Sequence, residues 1–366
     1  MSEPNPNLMA TAIQTSLTPP IAKLTAVDNV VQFDPAAHLV GDLPSKKISM
    51  KEVGFAEDIG VSPVAVSHPF RLFTQEAVEI MRKEIFDIPD KYKFQSNIAK
   101  SQLRGYARDC APFTMAGWNH PQTIAIISQI AEVDLVPVMP YEIAHINLSA
   151  KSKEDAEREL QEHQEKERSI RVDEAIGDCR EATETPIVGW HTDSYPFVCV
   201  LMMSDVESMI GGETAIRKTD GRILKVRGPS KGYAVIMQGR YITHQAMRAL
   251  GAQERITAVT SFRPKSALVK DDTELRTVRA VSDLNELYYD FSDYRLQLLE
   301  EQIRHERVRV AAARQAGEDF DTTEHKQFLG RVREFANQSD RELVPQSQVQ
   351  KGYIDKVDHP DAVIEF

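Results

Sequence analysis

Residues 189–203 read GWHTDSYPFVCVLMM: a histidine and a carboxylate two positions apart, then Pro196, then an apolar run from Val198 to Met203. Further short runs follow it at Glu213 to Arg217, Ile223 to Val226, Ala234 to Met237 and Ile256 to Phe262. Gly211-Gly212, Asp220-Gly221, Gly228-Pro229 and Gly239 punctuate them, and such residues turn a chain sharply. Closely spaced short strands with turns of this kind predict a β-sandwich or jelly roll over residues 186–263.

Towards the N-terminus the period is also two. From Tyr141 onward Glu142, Ala144, Ile146 and Leu148 share one side, and Ile143, His145, Asn147 and Ser149 share the other, which is strand behaviour. Residues 151–184 interrupt the pattern with a run dense in Lys, Glu, Asp and Arg, where apolar residues such as Ala156 and Leu160 are sparse. The reading is a solvated helix or loose insertion, with a lid over a pocket as the alternative. Thr74 reads as a helix N-cap, with Phe73 set to staple onto Val78 and with Val78, Met81 and Ile85 on one face. A second helix is expected from Pro121, carrying Ile124, Ile127 and Ile130.

After Pro264 the helical period returns in Leu284, Leu287, Tyr288 and Phe291, continued by Leu298 and Ile303, with Gly317 as a stop. Another helix places Phe328, Val332 and Phe335 on one face. Residues 1–60, with Pro4, Pro6, Pro19, Pro20, Pro35 and Pro44, read as an extended arm. The expected organisation is this arm plus one α+β domain over 61–366. That domain has a jelly-roll core at about 141–264, the insertion 151–184, a helical region at 280–340 and a tail at 341–366.

The 366 residues carry 44 Lys plus Arg against 55 Asp plus Glu, a net charge of −11, so phosphate backbones and anionic membranes are repelled. No dense basic block with interleaved aromatics argues otherwise, so nucleic acid is a poor partner, and the oligomeric state is unspecified. Cys110, Cys179 and Cys199 lack C-x-x-C spacing, and the first 25 residues lack a basic start followed by an apolar run. A reducing, cytoplasmic setting is expected.

His163/Glu165, His191/Asp193 and His359/Asp361 all have the His-x-carboxylate spacing, so context must choose among them. On a helix the first pair would lie roughly 200° apart, and the last has a proline between its members and no later histidine. His191 and Asp193 open the strand-rich region, where residues i and i+2 point the same way. His244, 53 residues beyond His191, offers a third ligand. Two imidazoles and a carboxylate suit a non-haem Fe(II) centre, and ligand identity alone does not separate iron from zinc. Arg255 opens the apolar stretch Ile256-Thr257-Ala258-Val259-Thr260. Inside a barrel its charge requires an anion, its planar fork suits a carboxylate, and Thr257 would lie on the same side.

The set His191-x-Asp193, Gly211-Gly212-Glu213-Thr214, His244 and Arg255-x-Thr257 resembles the Fe(II)/2-oxoglutarate-dependent oxygenase superfamily, over about residues 141–264. The resemblance implies a double-stranded β-helix and a dioxygenase with Fe(II), and with 2-oxoglutarate and O2 as cosubstrates. It implies that His191, Asp193 and His244 bind the metal and that Arg255 and Thr257 hold the distal carboxylate of 2-oxoglutarate. Asn147 is similar to an asparagine that touches the cosubstrate in some relatives. More narrowly, residues 62–264 resemble fungal oxygenases of specialised metabolism that close valine-like amino acids to aziridines. The segments involved are Val136-Pro137-Val138-Met139-Pro140-Tyr141-Glu142, Gly189-Trp190 and Gly239-Arg240-Tyr241-Ile242-Thr243-His244.

A small aliphatic amino acid implies a tight pocket, for which Trp190, Tyr195, Phe197 and Met203 are expected lining, with Ile364 and Phe366 of the terminal segment as a cap. Either hydroxylation or ring closure at an unactivated C–H bond fits. Two rivals are a metal-dependent jelly-roll hydrolase or isomerase without 2-oxoglutarate, and a non-catalytic protein that binds a partner through the Leu284 to Ile303 helix.

Overall fold

The computed structural model describes residues 31–56, 58–95, 102–173, 186–205, 209–227, 230–247 and 249–350. The chain divides between Gln32 and Phe33, and every element below belongs to the unit from Phe33 onward. It begins with α1 (Pro35–His38), β1 (Lys47–Ser49), β2 (Val64–Ser67), β3 (Phe70–Arg71), α2 (Gln75–Phe86), β4 (Gln102–Leu103), α3 (Tyr106–Cys110), α4 (Pro112–Asn119) and α5 (Pro121–Ala131). There follow β5 (Leu135–Pro137), β6 (His145–Ala150), α6 (Lys153–Asp173), β7 (Pro186–His191), β8 (Phe197–Met202), β9 (Ile210–Gly211), β10 (Thr214–Arg217), β11 (Ile223–Val226) and β12 (Tyr233–Met237). The remainder is β13 (His244–Met247), β14 (Ala249–Leu250), β15 (Glu254–Pro264), α7 (Arg276–Arg279), α8 (Leu284–Ala316) and α9 (Thr322–Glu342).

Two antiparallel sheets carry the architecture. The larger has the order β1-β2-β12-β8-β15-β6-β4, with β3 beside β12 and β5 beside β15; the smaller runs β11-β10-β13-β7. Alternation along β8 shows how they are layered. Phe197, Cys199 and Leu201 pack with Val78 of α2, Trp118 of α4 and Ile127 of α5, so that face of the larger sheet is covered by helices. Val198 and Val200 pack instead with Val66 and Met237 of the larger sheet and with Ile216 and Val226 of the smaller one. The sheets therefore face each other across a second core, and the side chains on that inner face meet there.

The helices follow their local signals. The Thr74 hydroxyl accepts a hydrogen bond from the Ala77 N–H, and Ala77, Val78, Met81 and Ile85 are buried, as an amphipathic helix requires. Asp283 caps α8 by accepting from the Asn285 and Glu286 N–H groups, and Gly317 ends it at φ 73°, a left-handed position that favours glycine. The charged insertion is helical as α6, and residues 174–185 lie outside the described part.

One expectation is corrected. The strand expected from Tyr141 begins at His145, because Pro140–Glu142 form a 3-10 turn and Ala144 has φ 55°. A proline preset for a turn, and a buried Glu142 held by Arg104, win over alternation there. His244 opens a strand, β13, too short and polar to announce itself. Within residues 1–60, residues 47–49 pair with β2, so this part of the arm joins the larger sheet. No helix among the described residues is long and apolar enough to cross a membrane.

Candidate metal centre

His191 is the last residue of β7 and His244 the first of β13, and the antiparallel register sets them directly opposite each other. Their ring centroids lie 4.4 Å apart. Asp193 follows just outside the strand, its N–H donating to the Gly239 carbonyl at 2.8 Å. Its Oδ1 lies 3.7 Å from His191 Nε2 and its Oδ2 3.6 Å from His244 Nε2. One ligand atom from each of the three residues falls within 4.8 Å of the others.

Both imidazoles are oriented by their own backbone. His191 Nδ1 lies 2.8 Å from the Gly189 carbonyl and His244 Nδ1 2.9 Å from the Ile242 carbonyl. A carbonyl can only accept, so each Nδ1 carries the proton and each Nε2 turns a lone pair towards the shared point, the arrangement that metal-binding histidines use. Burial, and then the neighbouring His244 ring, push the His191 imidazole below its ordinary range, which favours the neutral form a metal would need. Asp193 Oδ2 is closed off from solvent without a hydrogen-bond partner. A buried anionic oxygen of this kind is costly unless a cation or donor meets it. The donor set, tautomers and orphaned oxygen all fit a divalent metal.

The loop bearing Asp193 is held from outside the sheet. The Glu274 N–H donates to the Ser194 carbonyl at 2.9 Å, and the Ser194 and Thr277 hydroxyls are 2.6 Å apart. Arg240 pairs with Glu274 at 3.0 Å, and the Tyr241 hydroxyl donates to Asp272 at 2.7 Å. Segment 271–277 thus ties the Asp193 loop to the turn after β12.

On the opposite sheet, Arg255, Thr257 and Val259 of β15 share the inner face, paired with Ser149, Asn147 and His145 of β6. Arg255 lines the space between the sheets together with Gly212, Thr214 and Ile216, and Ile216 is the strand partner of His244. Its Nε has no hydrogen-bond partner. Burial holds its guanidinium below the ordinary arginine range, and no acid among the described residues offsets this. A guanidinium enclosed without a counter-ion is unfavourable, and a carboxylate entering this space would complete it. Thr257 is buried beside it, and Asn147 stands across from Thr257 on one side and from Gln102 of β4 on the other.

The expected lining residues divide. Tyr195 is buried two positions after Asp193. Trp190, one residue from His191, turns to the other face of β7 and stacks under Arg217 at 4.3 Å. Phe197 and Met203 pack in the helix-side core, not between the sheets. Both placements follow from the two-residue period, which sends neighbours to opposite faces. Ile364 and Phe366 lie outside the described residues.

Sequence reading missed a group beside the site. Arg104 forms a buried ion pair with Glu142, and its Nη1 lies 3.0 Å from His145 Nδ1. A guanidinium only donates, so His145 carries its proton on Nε2, which is closed off without a partner on the inner face. Gln102 Oε1 is orphaned likewise. The alternation His145-Ile146-Asn147 was the available signal, since it puts His145 on the face of Asn147.

Neither a family model nor a curated protein matches the sequence. Solved structures resemble it at low identity. A 2OG-Fe(II) oxygenase-family oxidoreductase from Burkholderia pseudomallei is 13% identical over 40% of this chain and 54% of its own, at a TM-score of 0.26, so this chain spans about half its length. A prolyl-4-hydroxylase from Pseudomonas putida is 15% identical over 55% of this chain and 92% of its own, TM-score 0.31. One from Phytophthora capsici is 12% identical over 75% and 88%, TM-score 0.36. At such identities the chemistry has to come from the chain's own residues.

Proposed function

We propose that this chain is a non-haem Fe(II)/2-oxoglutarate-dependent oxygenase, its two facing sheets forming a double-stranded β-helix. His191, Asp193 and His244 hold the iron, and Arg255 with Thr257 holds the distal carboxylate of 2-oxoglutarate, with Asn147 alongside. The observation that carries this reading is the half-buried Arg255, which meets no acid among the described residues, on the sheet opposite a His/Asp/His cluster. A three-ligand site alone serves hydrolases equally well; a half-buried guanidinium on the facing sheet suits an anionic cosubstrate.

Iron with 2-oxoglutarate and O2 supplies the oxidising equivalents for an unactivated C–H bond. The protein's part is placement and exclusion of water. The backbone carbonyls of Gly189 and Ile242 fix both imidazoles, and the braced Asp193 loop keeps the third ligand in reach. The apolar residues Val200, Met202, Val235 and Met237 keep the space in front of Arg255 dry. A small aliphatic amino acid such as valine is the substrate this reading favours, by hydroxylation or by closure to an aziridine, on the narrower sequence resemblance.

The test is anaerobic titration of the Fe(II)-loaded protein with 2-oxoglutarate, following the weak visible band of the chelated keto acid. The band is expected in the unmodified protein and absent from Arg255→Ala, which should still take up Fe(II). Tight metal binding with no 2-oxoglutarate uptake in either protein would overturn the reading and favour a metal-dependent hydrolase or isomerase.

A further inference from the structure

The long helix α8 runs for 33 residues and has an outer face that no other element covers among the described residues. Leu287, Phe291 and Leu298 point into the core. On the opposite side Tyr289, Leu296 and Ile303 are 76%, 64% and 43% exposed. These three stand seven residues apart, and Val310, half-buried, continues the series. A heptad stripe of apolar residues pointing to water is the seam by which helices pair.

The charges between these positions are segregated. Asp293 is exposed in the first half of the stripe, Glu300 at its midpoint, Arg307 in the second half and Arg314 just beyond its end, all at the same interval. A parallel partner would set like charges side by side. An antiparallel copy of the same helix sets acid against base.

We infer that α8 is the interface of a two-fold homodimer in which two copies of this helix cross antiparallel, with the axis beside Leu299 and Glu300. One register satisfies both patterns. Tyr289 faces Val310 of the second copy and Leu296 faces Ile303, and Arg307 stands one residue from the level of Asp293, within reach of its carboxylate. Glu300 falls on the axis, where Arg304 of the second copy, one turn along, offsets the apposed carboxylates. A symmetric interface is self-complementary in this way, each contact occurring twice.

The stripe from Tyr289 to Val310 is about 32 Å long at 1.5 Å per residue. With a width of about 10 Å, it is smaller than the roughly 800 Å² per partner of a standard stable interface. Weak association, weakened further by salt, is what such an interface supports.

Sedimentation equilibrium of the full chain between about 1 and 100 µM tests this, with circular dichroism confirming that each variant is folded. The unmodified protein should move from monomer to dimer across that range, and Leu296→Arg with Ile303→Arg should remain monomeric. Asp293→Arg alone and Arg307→Asp alone should each weaken self-association at least tenfold. Mixed together, these two variants should associate at least as well as the unmodified protein, because the antiparallel register then pairs every reversed charge with its opposite. A monomer at every concentration, as when another segment of the same chain covers the stripe, would overturn the inference. So would a dimer indifferent to the charge reversals, or two reversed variants that ignore each other when mixed.

Discussion

Gly239 lies against the carboxylate of Asp193 so closely that a Cβ on it would stand 1.9 Å from Oδ2 and 2.7 Å from Cγ. The same glycine accepts the Asp193 N–H. One backbone position therefore both holds the Asp193 main chain and limits where its side chain can go. Gly239→Ala should displace the whole Asp193 side chain, because the Asp193 Cβ would also stand only 2.9 Å from the new methyl. Metal affinity should fall by about 10–100-fold, the usual cost of disturbing a ligand's support. Isothermal titration with Co(II) reads this directly, and unchanged affinity would show that Gly239 does not set the ligand.

Arg255 is expected to cost the metal-free protein stability. Replacing an enclosed, uncompensated charge by an apolar side chain of similar length removes a desolvation penalty. Arg255→Met should raise the free energy of unfolding by about 1–2 kcal/mol, measured by urea denaturation without metal or cosubstrate. A lower midpoint would mean that the guanidinium already has a partner in the resting protein.

The ion pair between Arg104 and Glu142, 5% and 2% exposed at the side chain, should behave in the opposite sense. Glu142→Ala strands a buried guanidinium and should destabilise the protein by about 3–5 kcal/mol. Differential scanning calorimetry would show it; a change within error would mean that water reaches Arg104.

His145 predicts a pH dependence. Burial, and then the adjacent Arg104 charge, hold its imidazole well below the ordinary value. Below about 6.5 the unfolded chain binds a proton here that the folded chain refuses, so folded stability falls as the pH drops through that point, by about 1.4 kcal/mol per unit for this one group. His145→Asn should flatten the slope between pH 6.5 and 5.5 in urea unfolding curves. An unaltered slope would assign the acid sensitivity to other groups.

How much could be read from the chain alone depended on the range of the interaction. The helices α2, α5 and α8 were legible because a cap, an N-terminal proline and a 3.6-residue period act within one or two turns. The short strands β8, β10, β11 and β12 were legible from their punctuation. His191 and Asp193 were legible as a pair because two residues is the repeat of an extended chain.

The sequence by itself thus determined several of the helices and strands and which few side chains could take part in metal chemistry, since both are properties of residue type and local spacing. Only the tertiary structure decided which face each strand turns inward. That choice brought His244 opposite His191, put Arg255 between the sheets, and sent Trp190 and Phe197 to the other sides of their strands. It also created contacts with no local trace: Gly239 against Asp193, and Arg104 between Glu142 and His145. A one-residue step in register exchanges the two faces of a sheet, and what fixes the register is the packing of strands far apart in the chain.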